Sequence, residues 1–343
     1  MRYLMPALVV LVLTVSSCST NKHVGPAEGE KWISMHLLNF TSDSALDVLT
    51  QELPAIAERG VNVLFLEVDY SFEFQTHPEL RMEEFITKKA AEKFGKACRE
   101  SGIRLIPQFQ SLGHQSWAKQ TFTLLTVYPE LDLTPGAFPN NDSLYCREWD
   151  VTNPKVHEIV FPLIDEIVEA FGVDGVHLGM DEVFLLSSDK APNTKDKDPA
   201  TLFANEVIAF HDYFTKKKNV QLFIWADRLI DGNVYKYGEW EASMNGTAPA
   251  VDLIPKDIVL CDWHYEPMTE YGSVSMFLDK GFKVLPCSWR NIDGVKALVN
   301  YSYKLNNPNM LGHMFTTWSR LKKDSIASYK PLVAGVEAIK GVK

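Results

Sequence analysis

The sequence predicts a single (β/α)8 barrel, and two observations carry this prediction. Eight short apolar runs follow one another, and most are continuous rather than alternating, which is typical of parallel strands buried on both faces. Amphipathic helical patterns lie between most of these runs, and strand–helix alternation repeated eight times is the pattern of this barrel. The predicted strands are Trp32–Leu38, Val61–Val68, Ile103–Phe109, Gly175–Gly179, Gln221–Ala226, Ile258–Trp263, Lys283–Ser288 and Met310–Thr317.

Seven stretches have the period and the end signals of helices. Gly102 follows the second and Gly172 follows the third, each in the position of a C-terminal cap. The third also opens with Asn153 as an N-cap and Pro154 in its first turn. The predicted helices are Ser44–Arg59, Thr87–Ser101, Asn153–Phe171, Pro199–Lys218, Thr269–Lys280, Val295–Leu305 and Ser325–Ile339.

Two connections are much longer than the others. Residues 111–152 follow the third strand, and residues 229–257 follow the fifth with only weak helical character. Both leave the C-terminal end of a strand, which is the active-site face of such barrels, and long excursions of this kind are usually functional. We therefore expect one domain whose site is covered by the loops after strands three and five.

The first residues predict an exported protein with a lipid anchor. A short basic start precedes an apolar run that is too short to span a bilayer. The run ends in Val15-Ser16-Ser17-Cys18, which resembles a bacterial lipobox, where the cysteine becomes the lipidated N-terminus. We expect a signal peptide at 1–17, lipidation of Cys18, a polar tether at 18–30 and the barrel at 31–343. By this resemblance the protein is held in the bacterial cell envelope, at the outer membrane; an ordinary signal peptide cut nearby is the alternative.

Charge and cysteine content restrict the partners. The net charge of −10 argues against nucleic acid and against anionic membrane surfaces, so we expect membrane contact only through the anchor. The cysteines Cys98, Cys146, Cys261 and Cys287 show no Cys-x-x-Cys spacing, which argues against a zinc cluster, and we expect no essential disulfide and no cofactor.

The fourth predicted strand ends in two adjacent acids, Asp181 and Glu182. Paired carboxylates at a strand end repel each other and gain little from packing, so a role in chemistry is favoured. One group can stay protonated as an acid while its neighbour stays ionised. The alternative is a solvated strand-to-helix turn with an acid near the helix N-terminus.

Aromatic and polar residues recur at the other strand ends. A pocket with aromatic walls and carboxylates suits a sugar, because rings pack on the apolar face of a pyranose while polar groups bond its hydroxyls. The alternative is that the tryptophans only cap the barrel core. The candidate substrate-binding residues are His114, His177, Trp225, Asp227, Trp263, Tyr265, Trp289, Trp318 and Arg320.

The segment from His177 to Glu182 reads His-x-Gly-Met-Asp-Glu, and it is similar to the His-x-Gly-Gly-Asp-Glu signature of glycoside hydrolase family 20, the β-N-acetylhexosaminidases. Four other segments resemble the family in the order that the fold requires, over roughly residues 100–320. They are Gly113-His114, Trp149-Asp150 with Asn153-Pro154, Trp225-x-Asp227, and Gly312 followed by Trp318.

The resemblance implies a retaining, substrate-assisted hydrolysis of β-linked N-acetylhexosamine, which departs from the two-carboxylate scheme of most glycosidases. By resemblance, Glu182 is the general acid and later the base, and Asp181 orients the 2-acetamido group of the substrate. Tyr265 is then expected to bond the acetamido carbonyl. The resemblance assigns the walls of the acetamido pocket to Trp225, Trp263 and Trp318.

Several positions depart from the family pattern. Met180 replaces the second glycine of the signature, and we expect it to narrow the space beside the acids. Strand one carries His36 and no arginine to grip the sugar hydroxyls. Gln108 and Gln110 stand where the family has acids, and Arg320 replaces a glutamate. We therefore expect Arg320 at the pocket mouth and a substrate that differs from plain terminal N-acetylglucosamine.

Two other functions stay open at this point. A catalytically silent glycan-binding lipoprotein on the same barrel is favoured by the loss of the arginine. A metal-dependent hydrolase would use His36, His114, His177 and Asp181, but the chain has no His-Glu-x-x-His spacing, and this hypothesis ranks last. The oligomeric state does not follow from the sequence.

Overall fold

The computed structural model describes residues 25–27 and 29–342, and its central feature is a closed barrel of eight parallel strands. Each strand pairs with its neighbours in chain order, and the last pairs with the first. The predicted (β/α)8 barrel is thereby confirmed. The strands are β1 (Trp32–Leu37), β2 (Val63–Glu67), β3 (Arg104–Ser111), β4 (Gly175–Gly179), β5 (Gln221–Trp225), β6 (Val259–Trp263), β7 (Lys283–Ser288) and β8 (Gly312–Phe315).

Long helices follow every barrel strand except β5. The connection after β5 contains only short helices, in agreement with the weak helical pattern of that stretch. They are Asp227–Leu229, Gly232–Tyr235, Gly238–Glu241 and Ala248–Asp252. The long helices are α1 (Asp43–Glu58), α2 (Lys88–Glu100), α3 (Lys155–Phe171), α4 (Pro199–Phe210), α5 (Gly272–Asp279), α6 (Ile292–Lys304) and α7 (Lys330–Gly341).

The core has two apolar layers. The larger lies between the strands and the helices, and the smaller fills the barrel. Residues that point inward along the strands stack in this inner layer, as is usual for such barrels. Its buried members include Trp32, Phe65, Ile106, Phe223, Trp225, Val259, Cys261, Leu285, Cys287 and Met314.

The barrel closes where β8 pairs with β1, and glycine is required at this seam. Gly312 lies opposite Trp32 in the register of the two strands. A Cβ at position 312 would lie 2.0 Å from the Trp32 carbonyl oxygen, far inside contact distance. The absence of a side chain at Gly312 therefore lets the first and last strands approach closely enough to pair.

The long loop after β3 folds over the C-terminal end of the barrel. It contains a small hairpin that pairs Ser116–Trp117 with Gln120–Thr121. Arg147 fixes the loop from inside, because its Nε donates to the Asn141 side chain at 2.7 Å and its guanidinium pairs with Asp132. This loop therefore reaches the site as an ordered element.

The predicted signal peptide (1–17), the lipidation site Cys18 and most of the tether (18–30) lie outside the described residues. Within the residues that are described, no helix is long and apolar enough to cross a membrane. The four cysteines of the barrel are buried free thiols, as Cys98, Cys146, Cys261 and Cys287.

Candidate active site

The chain leaves β4 through an unusual turn, residues 179–182, which carries the two acids. Gly179, Met180 and Glu182 have positive φ angles of 67°, 67° and 51°. A side chain at Gly179 would place its Cβ 2.1 Å from the Gln110 side-chain oxygen. A left-handed backbone at a residue other than glycine costs on the order of 1–3 kcal/mol of folding free energy. It persists where surrounding contacts hold it, often at functional sites.

Met180 has a different place from the one that the sequence predicted. Its side chain is fully buried in the layer between strands and helices. Met180 therefore does not narrow the space beside the acids. Its left-handed backbone, for which glycine is best suited, gives a physical reason for a glycine at this point of the family signature.

His114 joins the two acids. Its Nε2 lies 3.3 Å from Asp181 Oδ2 and 3.0 Å from Glu182 Oε2. Burial alone would lower the pKa of His114, but the charge of Asp181 and hydrogen bonds to both acids raise it well above its usual value. The sequence placed His114 in the site, and the structure places its Nε2 between the two carboxyl groups, an arrangement that favours the protonated ring.

Asp181 is surrounded by groups that favour its ionised form. Gln110 Nε2 donates to its Oδ1 at 2.5 Å, and the side chain is almost wholly buried. Burial alone would raise the pKa of Asp181, but His114 and the Gln110 hydrogen bond lower it below its usual value. A buried carboxylate with these two partners is fixed in position.

Glu182 receives a second donor from the long loop after β3. The hydroxyl of Tyr145 donates to Glu182 Oε2 at 2.7 Å, the same oxygen that faces His114. The backbone N–H of Glu182 donates to Asp227 Oδ2 at 2.9 Å. The side chain and the backbone of Glu182 are therefore held by three residues from two connections, the loop after β3 and the turn after β5.

Asp227 lies behind the site, which corrects its assignment to substrate binding. The residue is 1% exposed. Its carboxylate accepts from Glu182 N, from Arg228 Nε at 2.6 Å and from Trp263 Nε1 at 3.2 Å. Burial raises the pKa of Asp227 to about 6, although Arg228 opposes this. Both carboxylate oxygens of Asp227 accept hydrogen bonds from the protein, so this residue positions Glu182 and Trp263.

A polar floor runs from Asp181 toward β1. Gln108 Nε2 donates to Gln110 Oε1 at 3.1 Å and to Glu67 Oε2 at 3.3 Å. His36 Nε2 is 3.9 Å from the same Glu67 oxygen. Among the described residues, both His36 ring nitrogens and Gln108 Oε1 are buried without a hydrogen-bond partner. His36 and Gln108 are 0% and 1% exposed, so these unpaired atoms lie beneath the surface of the site.

The charge state of the floor is set by burial. Burial raises the pKa of Glu67 well above its usual value, and the nearby Asp69 raises it further. Burial also lowers the pKa of His36 to about 4, so this imidazole is neutral.

His177 supports the site from below, and one prediction about it is wrong. The sequence placed it among the candidate substrate-binding residues. Instead its Nδ1 accepts the backbone N–H of Gly179 at 3.0 Å, and the ring packs 4.5 Å from that of Trp225. The residue is fully buried, so it holds the end of β4 and contacts the aromatic wall, with no surface for a substrate.

The aromatic residues that were predicted to line a sugar pocket lie close together, and their contact with a sugar stays a prediction. Trp263 and Tyr265 stack with centroids 5.0 Å apart, and Trp225 lies 5.8 Å from Trp318. Trp318 Nε1 donates to the Tyr265 hydroxyl at 2.8 Å, which leaves the hydroxyl hydrogen for another acceptor. Trp289 extends the wall at 5.5 Å from Tyr265.

Arg320 lies in the segment that follows β8. It is exposed, and its guanidinium lies 5.2 Å from the centroid of the Phe40 ring. A contact between Arg320 and the sugar stays a prediction.

Sequence reasoning missed four residues of the site. Tyr145, Trp117 and Trp240 lie in the two long loops, where no periodic pattern indicates which side chains turn inward. Glu67 is the last residue of β2 and was not among the candidate residues. The loop lengths were the one available signal, since they marked the segments that carry these aromatic residues.

One group of residues has the composition of a metal site. His114, Asp181 and Glu182 offer ligand atoms within 4.8 Å of one another. A histidine must be neutral to bind a metal, whereas the pKa of His114 is raised well above its usual value by Asp181. Metal binding here would therefore have to displace a proton from His114, and the same contacts also suit proton handling.

A (β/α)8 barrel with acids at the end of β4 and a tryptophan wall defines a sugar-cleaving class of protein. The family model described as "Glycosyl hydrolase family 20, catalytic domain" matches residues 34–338 of this chain. This chain belongs to glycosyl hydrolase family 20.

Individual relatives are distant. Lacto-N-biosidase of Bifidobacterium bifidum is 26% identical over 199 residues, 54% of this chain and 16% of the relative. Beta-hexosaminidase 1 of Coccidioides posadasii is 21% identical over 315 residues, 79% of this chain and 49% of the relative. The chain thus spans about half or less of these curated relatives.

Solved structures show the same fold. Chitobiase of Flavobacterium johnsoniae superposes with a TM-score of 0.63 at 21% identity, over 90% of this chain and 48% of that one. A beta-N-acetylhexosaminidase of Bacteroides fragilis gives 0.57 at 15% identity, over 90% and 65%.

Proposed function

We propose that this chain hydrolyses β-linked N-acetylhexosamine from glycans with retention of configuration, by using the substrate's own 2-acetamido group. The observation that carries the proposal is the convergence of Asp181 and Glu182 on His114, in a chain of this family. The aromatic wall beside the acids supports a sugar as the ligand.

Asp181 has the environment of an orienting group. As a carboxylate it can accept the acetamido N–H, which directs the acetamido oxygen to the anomeric carbon. The Tyr265 hydroxyl, which accepts from Trp318, can donate its own hydrogen to that oxygen. The two contacts would hold the amide in the geometry needed for attack.

Glu182 is the proton donor in this proposal. His114 and Tyr145 both face Oε2, so Oε1 is the oxygen that can carry the transferred proton. As the bond between the anomeric carbon and the leaving group breaks, that proton passes to the leaving oxygen and an oxazolinium ion forms. Water then attacks the anomeric carbon and returns a proton to Glu182.

Replacement of the acid tests the assignment. Glu182→Gln keeps the shape of the side chain and removes the proton, so hydrolysis of an unactivated oligosaccharide should fall by roughly 10²–10⁴-fold. An aryl glycoside with a good leaving group should lose less in its first step. Near-wild-type turnover of the oligosaccharide by Glu182→Gln would contradict the role.

The acetamido mechanism has a separate test. Asp181→Asn should impair only substrates that carry a 2-acetamido group, and a thiazoline analogue of the oxazolinium ion should inhibit competitively. Equal hydrolysis of glucosides and 2-acetamido-glucosides would exclude substrate assistance. Glycan binding without turnover of any glycoside would favour the silent glycan-binding protein, a function consistent with the cation-free floor at His36.

We also propose that the protein is anchored in the bacterial envelope through a lipid on Cys18. The sequence around Cys18 supports this, since a short apolar run ends there in small residues. Cys18→Ser should move the protein from the membrane fraction to the soluble fraction. An unchanged distribution would show that another feature holds it.

A further inference from the structure

Four aromatic side chains cluster on one side of Glu182. We call Trp117, Tyr145, Phe184 and Trp240 the aromatic rim. Tyr145 is at its centre, with its ring centroid 4.8 Å from Trp240, 5.7 Å from Trp117 and 5.8 Å from Phe184. The rim joins the long loops after β3 and β5 to the turn that follows β4.

The rim presents apolar surface to solvent. Trp117 is 56% exposed and Trp240 is 44% exposed. Among the described residues, six large hydrophobic side chains are exposed. Trp117 and Trp240 are the two tryptophans among these six. Exposed apolar surface concentrated at one place marks a binding site more often than scattered residues do.

The rim faces the leaving-group side of the reaction. Tyr145 donates to Glu182, and the acid delivers its proton to the oxygen that joins the sugar to its leaving group. Atoms beyond that oxygen therefore pass over the rim. Trp225 and Trp318 pack instead against His36, and Trp225 also packs against His177.

Trp240 is fixed in the rim through its neighbour, Glu241. Glu241 Oε2 lies 2.7 Å from Nδ1 of His264, a fully buried residue. The other nitrogen, Nε2, lies 3.1 Å from Asp262 and 2.9 Å from Ser273. This network attaches the short helix Gly238–Glu241 to the end of β6.

A second attachment links this helix to the acid. Arg228 donates through Nη2 to the backbone oxygens of Glu239 and Trp240, at 2.7 and 3.0 Å. The same guanidinium binds Asp227, which accepts the N–H of Glu182. One arginine therefore sets the position of the rim relative to the proton donor.

We propose that the aromatic rim binds a pyranose leaving group, and that the Glu241–His264 ion pair positions Trp240 for this contact. The ligand class follows from two flat aromatic faces beside the acid, because such faces pack on the C–H surface of a sugar ring. The inference rests on the proposed hydrolase function. It adds that the substrate is a saccharide extended beyond the scissile bond.

The test compares two substrates that differ only in the leaving group. The first is N,N′-diacetylchitobiose, which leaves a sugar, and the second is the β-fluoride of N-acetylglucosamine, whose leaving group is one atom. Trp117→Ala and Trp240→Ala should each lower kcat/KM for the disaccharide by about 10-fold or more, mainly through KM, and leave the fluoride unchanged. Leu253→Ala is the matched control, because Leu253 is 52% exposed in the same connection after β5.

Equal losses on both substrates, or no loss on either, would overturn the proposal. Trp240→Phe should restore part of the disaccharide activity, which a purely structural defect would not allow. Glu241→Gln should lower disaccharide activity less than Trp240→Ala does. In the variant that carries both changes, the loss should be little larger than that of Trp240→Ala alone. Full additivity would show that the ion pair does not act through Trp240.

Failure of the hydrolase function would be recognised separately. If the wild type cleaves neither substrate, binding of the disaccharide is measured by calorimetry. Weaker binding by Trp117→Ala and Trp240→Ala than by Leu253→Ala then supports the rim as a sugar site, and equal binding overturns it.

Discussion

At the scale of single residues, each acid of the site is defined by what it touches. Asp181 and Glu182 are neighbours in the chain, yet Gln110 binds one while Tyr145 binds the other. His114 faces both, and one positive charge can balance only one carboxylate. Two adjacent acids can thus have different roles, because their partners differ.

Asp227 provides a residue-scale prediction. Asp227→Asn removes a carboxylate that is buried against Arg228 and should leave that guanidinium without its countercharge. Breaking one partner of a buried ion pair typically costs about 3–5 kcal/mol. We expect a lower free energy of unfolding in urea, and a fall in kcat that exceeds the change in KM. Asp293→Asn, at an exposed position, is the control, and equal effects of the two substitutions would refute the positioning role.

At the scale of elements, the two long loops decide what surrounds the acids. The loop after β3 supplies Tyr145 and Trp117, and the connection after β5 supplies Trp240. Both connections are held by buried charged groups, Arg147 in the first and Arg228 in the second. Buried charges with several partners order a loop that has little regular structure of its own.

His264 gives this scale a pH-dependent prediction. Burial alone would lower the pKa of His264, but Asp262 and Glu241 raise it to about 9, compared with about 6.5 in an unfolded chain. The stabilisation is therefore complete below about pH 6.5 and is lost as the pH rises through about 9. Its size is on the order of 3 kcal/mol from this shift.

The measurement is the free energy of unfolding of wild type and His264→Gln from pH 6 to pH 10. The difference between the two proteins should be largest at pH 6 and should shrink toward pH 10. A difference that does not change with pH would mean that the imidazole is neutral throughout.

At the scale of the whole molecule, the barrel depends on its seam. Gly312→Ala places a Cβ against the Trp32 carbonyl and must push β8 away from β1. Overpacking of this kind usually costs about 1–3 kcal/mol. We expect a lower melting temperature, read by circular dichroism. In Gly341→Ala the new Cβ meets nothing within 4 Å, so that variant should match the wild type. Equal melting temperatures for both variants would show that the seam can relax.

The sequence by itself determined the barrel, its strand order and the position of the acids. Strands buried on both faces leave continuous apolar runs, and the C-terminal ends of such strands meet at one face. Trp225, Trp263, Trp289 and Trp318 could therefore be located at one face, because each ends its strand or follows it within a few residues.

Only the tertiary structure decided which side chains meet the acids from far along the chain. Tyr145 lies in an irregular segment and Trp240 in a helix of four residues. Neither segment has a repeating pattern that would indicate which way the side chain points. Asp227 and His177 sit at strand ends like true pocket residues, but burial turned both into supports for the β4 turn. The difference depends on packing and hydrogen bonding between elements distant in sequence, and local patterns carry no record of it.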